Sequence, residues 1–197
     1  MKLVVDITER ALLAALFYLF CARIGWAQLL DPVNLGVVVI EILGIWFIFT
    51  RRPGDVIPDP YALVIALLGT AFPLLATPGG APLAPHWAGE ALMALGLPLS
   101  IAGLLSLNRS FGLVAANRGV KRGGPYKLIR HPIYAGYILA HCGFLSQHFS
   151  RWNLAVYALG WSLLLLRIMA EESFLGRDEA YREYAGGVRY RLAPGLF

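Results

Sequence analysis

Two short stretches of this chain hold the residue types that do chemistry. The first, residues 123–134, reads Gly-Gly-Pro-Tyr-Lys-Leu-Ile-Arg-His-Pro-Ile-Tyr; the second, residues 167–172, reads Arg-Ile-Met-Ala-Glu-Glu. Two glycines and a proline call for a tight turn, and Pro132 suits the first position of a helix, where a missing N–H costs nothing. Arg130, His131 and Tyr134 then stand at a helix entrance, where partial positive charge favours a carboxylate, phosphate or other anion. Arg167 and Glu171 are four apart and share a helix face. A surface ion pair beside ordinary headgroup anchors would give the same residues. What favours a site is that both ends of one helical hairpin bring charge to the same level of the membrane.

The elements that must hold these residues are helices in a bilayer. With 58% hydrophobic and 15% charged residues and a mean hydropathy of +0.62, a soluble domain of this size would lack the polar surface to cover itself. The spans expected are Ala11 to about Leu30, Asn34 to Thr50, Tyr61 to about Leu75 with a break or kink at Pro73, and Trp87 to Leu107 with a bend near Gly96 and Pro98. Asp31-Pro32 and Asp59-Pro60 read as cap-plus-proline helix starts. Arg23 would snorkel to an interface. From Asn108 to Arg130 the chain carries Arg109, Arg118, Lys121, Arg122, Lys127 and Arg130 with no acidic residue, the mark of a cytoplasmic loop.

Beyond that loop, Ile133 to Phe149 and Trp152 to Ile168 read as a hairpin, with Ser150 capping a second arm that continues past Glu171. The first arm, at roughly 25 Å, is a little short for the hydrocarbon core. Tyr134, Tyr137 and His141 form one stripe on it, read as helix packing. The tail spaces Tyr181, Tyr184 and Val188 helically, which predicts a short amphipathic helix on the membrane face. Six spans put Arg51, Arg52, the basic loop and Arg177, Arg182, Arg189 and Arg191 on one side, leaving only Arg23 and Arg151 near the other. The fold expected is therefore all-α and polytopic, with about six transmembrane helices, a C-terminal hairpin and a cytoplasmic cofactor site; residues 1–107 supply four spans and 108–197 the catalytic part of one domain. Both termini are expected in the cytoplasm.

Other chemistries find little support. Cys21 and Cys142 sit in apolar runs without metal-ligand or redox spacing, which reads as buried thiols and no metal. No aromatic-interleaved basic groove suggests nucleic acid as a partner, and no Gly-x-Gly-x-x-Gly follows a strand.

These motifs resemble the isoprenylcysteine carboxyl methyltransferases with their bacterial relatives, and the phospholipid methyltransferases. The resemblance is carried by Gly124-Pro125-Tyr126, by Arg130-His131-Pro132-Ile133-Tyr134 with Gly136, by Arg167 through Glu172, and by Tyr181, Tyr184, Val188 and Arg191. It implies S-adenosylmethionine as cofactor, held by Arg118, Gly119, Val120, Lys121, Tyr126, His131, Pro132, Ile133, Tyr134 and Glu171. It also implies an acceptor contact at Arg167, with Arg167, His131 and Tyr134 closest to the chemistry. The acceptor would be a lipophilic or lipidated molecule drawn from the membrane, a carboxylate first and a phospholipid amine as the alternative. The bacterial relatives imply an inner-membrane location. An NADPH-dependent membrane reductase of related architecture is the competing enzyme, and a channel or transport subunit the non-catalytic one. Against the latter stands the expectation that no span carries an ionisable residue at its midplane.

Overall fold

The structure, a computed structural model, describes residues 2–24, 32–57 and 59–195. The expected Asp31 cap, the end of the first span and the side chains of Cys21 and Arg23 lie outside the described residues. Helices α1 (Lys2–Ile24), α2 (Pro32–Thr50), α3 (Pro60–Ala71), α4 (His86–Leu107), α5 (Pro132–Gln147), α6 (Arg151–Leu175) and α7 (Glu179–Gly187) follow in order. The starts follow the capping chemistry: Asp59 accepts from the Tyr61 N–H at 2.9 Å ahead of Pro60, and Ser150 accepts from the Asn153 N–H at 3.0 Å. Pro73 falls in a 3-10 turn, Phe72–Leu75, that closes α3. Pro98 is accommodated inside α4.

The packing centres on α4 against α5, where small residues let two backbones approach closely. A side chain at Gly96 would come within 2.7 Å of the Ala140 backbone nitrogen, and one at Gly143 equally close to Met93. Leu97 and Leu104 of α4, Ile133 and Tyr134 of α5, Leu164 and Ile168 of α6 and Ile40, Phe47 and Ile48 of α2 make the main core. The Tyr137–His141 stripe packs on α6, with His141 stacked on Tyr157 at 4.7 Å between ring centres. Cys142 is a free, half-buried thiol.

Large apolar side chains also cover the outside: Trp46 on α2, Leu95 on α4 and Met169 on α6 are each more than 60% exposed. Helices apolar on all faces suit a bilayer. Among the described residues, His86–Ser110 and Arg151–Leu175 are long and apolar enough to cross one, while Leu35–Thr50 and Pro60–Leu75 are shorter apolar helices. The 16 residues of α5 reach only about 24 Å, less than the roughly 30 Å core.

Three expectations need correction. Glu41 stands at the middle of α2, so the midplane argument against a transport subunit fails. The chain is not wholly α: β1 (Asp55–Val56) pairs antiparallel with β2 (Ala116–Asn117), and a ladder of two residues is too short to leave an alternating pattern in sequence. Finally, the apolar face of α7 does not meet lipid alone, because Tyr181 and Tyr184 are buried against Tyr126.

The two ends of the bundle differ. At one, the loop 77–85 meets the α5–α6 turn: Asn153, fully buried, joins Thr77 to His148, and Ala81 bridges Phe149. At the other, the Arg51 loop, the basic loop after α4 and α7 gather over the entrance to α5.

Candidate functional site

A turn starts the site. Gly124 takes a left-handed φ of 57°, which costs a glycine little, and opens the 3-10 turn Gly124–Lys127. That turn buries Tyr126 and delivers Arg130 and His131 to the first turn of α5. Backbone from the tail secures them: Tyr190 and Arg191 carbonyls accept from the Arg130 and His131 N–H groups, each at 2.9 Å.

Two adjacent carboxylates on α6 then divide the side chains between them. Glu171 accepts from the Tyr134 hydroxyl at 2.5 Å and from Arg167 Nε at 3.0 Å, and its other oxygen lies 3.8 Å from His131 Nδ1. Glu172 faces the tail: His131 Nε2 lies 3.0 Å away, Arg130 Nη1 3.3 Å, and Arg191 Nε donates to it at 2.7 Å. His131 stacks on Tyr134 at 5.5 Å, and the Arg167 guanidinium sits over the Tyr134 ring at 5.1 Å, a cation on an aromatic face. Arg167 is buried, so its pairing with Glu171 is not a solvated surface contact.

Above Tyr134 and Glu171 opens a cleft with about 130 Å³ of room for water-sized occupants. Its lining includes Arg118, Gly119, Val120, Lys121, Tyr126, His131, Ile133, Tyr134 and Glu171, nine of the residues expected for the cofactor. Pro132 and Arg167 do not line it. Pro132 is buried where α5 meets Gly103 of α4, and Arg167 lies behind Glu171. Ser110 to Gly112 and Val114 to Asn117, in the segment 110–121 that roofs the cleft, together with Arg130, Tyr181 and Tyr184, also line it; the sequence reading did not place them there. The tyrosine periodicity of the tail was visible, but it pointed equally to a membrane face.

Burial, and after it the Glu171 carboxylate, pushes the Tyr126 hydroxyl well above its ordinary range; burial likewise raises Tyr181, and takes Tyr184 up to about 12. All three stay protonated at neutral pH. The Tyr184 hydroxyl donates to the Tyr126 carbonyl at 2.8 Å, so this wall of the cleft is aromatic and uncharged.

Fold and cleft together define a helical, membrane-type protein with an electropositive, tyrosine-walled site beside paired glutamates. The chain belongs to the phospholipid methyltransferase family, whose model matches residues 84–183. That stretch runs from just before α4 to the middle of α7. No curated protein matches the sequence.

Proposed function

We propose that the protein is an integral-membrane methyltransferase using S-adenosylmethionine on the polar head of a lipid-tailed acceptor. The observation that carries this reading is the set Tyr134, Glu171 and Arg167, lying between a cationic roof and apolar helices. The donor set fits the cofactor: a carboxylate at Glu171 for the ammonium, cations at Arg118, Lys121 and Arg130 for the carboxylate, and Tyr126, Tyr181 and Tyr184 to pack the adenine. When bound, S-adenosylmethionine supplies the activated methyl group.

The residues of this chain then bind, align and exclude water. With Glu171 turned to an ammonium, Arg167 is left with a free guanidinium edge for the anionic group of the acceptor. A carboxylate acceptor needs no general base, and alignment with exclusion of water supplies most of the rate. This is the reading we favour. The family match favours a second, a phospholipid amine, which must lose a proton; on that reading His131, with ring nitrogens toward Glu171 and Glu172, or a tyrosine of the cleft would take it. A six-span arrangement in a bacterial inner membrane, both termini cytoplasmic and residues 108–197 forming the catalytic part, completes the proposal.

The test is transfer of radiolabel from S-adenosylmethionine in membranes with and without the protein. Label should enter a lipid-soluble product in a base-labile ester for a carboxylate acceptor, or base-stably for an amine. A tail-less acceptor should be poor. Binding of NADPH with no uptake of S-adenosylmethionine would replace this reading with the reductase.

A further inference from the structure

The roof of the cleft, residues 110–121, is secured from outside the family-matched stretch. Glu9 of α1 is only 1% exposed. One of its oxygens accepts from the Val114 N–H at 2.6 Å, and the other pairs with the Arg51 guanidinium. A carboxylate so buried is tolerated only when paired and hydrogen-bonded, and here both conditions are met by groups belonging to the roof and to the α2–α3 loop. That loop adds further ties. The Arg52 N–H donates to the Arg109 carbonyl at 2.8 Å, the Ile57 N–H to Ala115 at 3.0 Å, and Arg118 Nε donates back to the Arg52 carbonyl at 3.2 Å. Between them β1 pairs with β2, and Gly54 lies so close to the Asn117 carbonyl that a side chain there would collide with it. Val114 itself lines the cleft, whereas Glu9 does not.

We propose that Glu9 is a positioning residue of the cofactor site: anchored by Arg51, it fixes the roof backbone through Val114, so that the Arg118–Lys121 segment faces the cleft. The inference rests on the methyltransferase reading. It makes the first helix, which has no share in the family match, a part of the binding machinery. Glu9 has a different task from Glu171, since it holds backbone and touches no ligand.

Hydrogen exchange and kinetics on the full-length protein in detergent, comparing wild type with Glu9→Ala and Glu9→Gln, test this. Glutamine keeps the volume and one acceptor oxygen, so it is the conservative variant and should show the milder form of the same effect. Loss of the buried acceptor should speed exchange of the Val114–Lys121 amides and raise KM for S-adenosylmethionine about tenfold in Glu9→Ala, the size expected when a buried N–H loses its partner. Turnover at saturating cofactor should change less than KM, and exchange in α4 and α6 should stay as in wild type. Roof exchange equal to wild type, faster roof exchange with unchanged KM, or loosening spread evenly over all helices would each overturn the inference. Wild-type protein that takes up no S-adenosylmethionine would overturn the functional reading and the inference with it. The two failures are distinguishable, because the exchange contrast needs no ligand.

Discussion

Arg167 is held by Glu171 along its edge and by Tyr134 across its face, and this asymmetry separates the two charged residues of α6. If Glu171 takes the ammonium of the cofactor, Glu171→Gln should weaken S-adenosylmethionine binding by about 1.5–3 kcal/mol, the worth of a hydrogen bond to a charged group. Arg167→Ala should bind the cofactor nearly as well and turn over poorly, because the acceptor is no longer held in line. Titration calorimetry of both variants beside a methyl-transfer assay reads the difference, and equal small losses would mean a structural pair only. The spacing of Arg167 and Glu171 made their contact legible in sequence. Glu172 was not legible as a hub, since His131, Arg130 and Arg191 reach it from distant parts of the chain. Glu9 showed only as an acidic residue ahead of an apolar run, its partners lying 42 and 105 positions away.

Among the elements, α7 departs most from what its pattern implied. A stripe of tyrosines looks the same whether it meets lipid or another aromatic, and here it closes on Tyr126. The helix is tied to the roof by its cap: Asp178 accepts from the Ala180 N–H at 2.8 Å and from Asn117 Nδ2. The Asn117 hydrogen bond is the first cause that holds the Asp178 carboxyl below its usual range, with the Ala180 N–H next. A depressed carboxyl contributes stability above its unfolded value, and that contribution is lost as pH falls through the lower folded one. Asp178→Ala should therefore fray Glu179–Gly187 at neutral pH, and wild type should fray likewise only below the ordinary aspartate range. Exchange of the α7 amides measured against pH would show both, and a flat profile in wild type would refute the coupling. Helix starts were readable because a cap is local chemistry: Asp59, Ser150 and Pro132 each stand where the sequence put them. The β1–β2 ladder joins two loops sixty residues apart and left no such mark.

At the scale of the molecule, charge and structure divide the chain in the same way. The uncharged loop around Gly80 meets the α5–α6 turn at one end, and the arginine-rich loops gather at the other, around Glu9, Glu171 and Glu172. On the proposed topology, which follows the positive-inside pattern, the second end faces the cytoplasm. A single cysteine at position 80 in a cysteine-free background should then react with an impermeant reagent from outside only, and labelling from the cytoplasmic side alone would sink the topology. The bundle and its two ends were readable from composition and charge, whereas the cleft depended on which loops fold over which, and that is settled by long-range packing. One tie among those loops bears on how the protein is made. Arg130 and His131 rely on the carbonyls of Tyr190 and Arg191, which lie in the chain beyond the end of α6. The α5–α6 hairpin is thus complete in sequence before the acceptors of the Arg130 and His131 N–H groups, so the entrance to α5 is finished only when the tail folds back onto it.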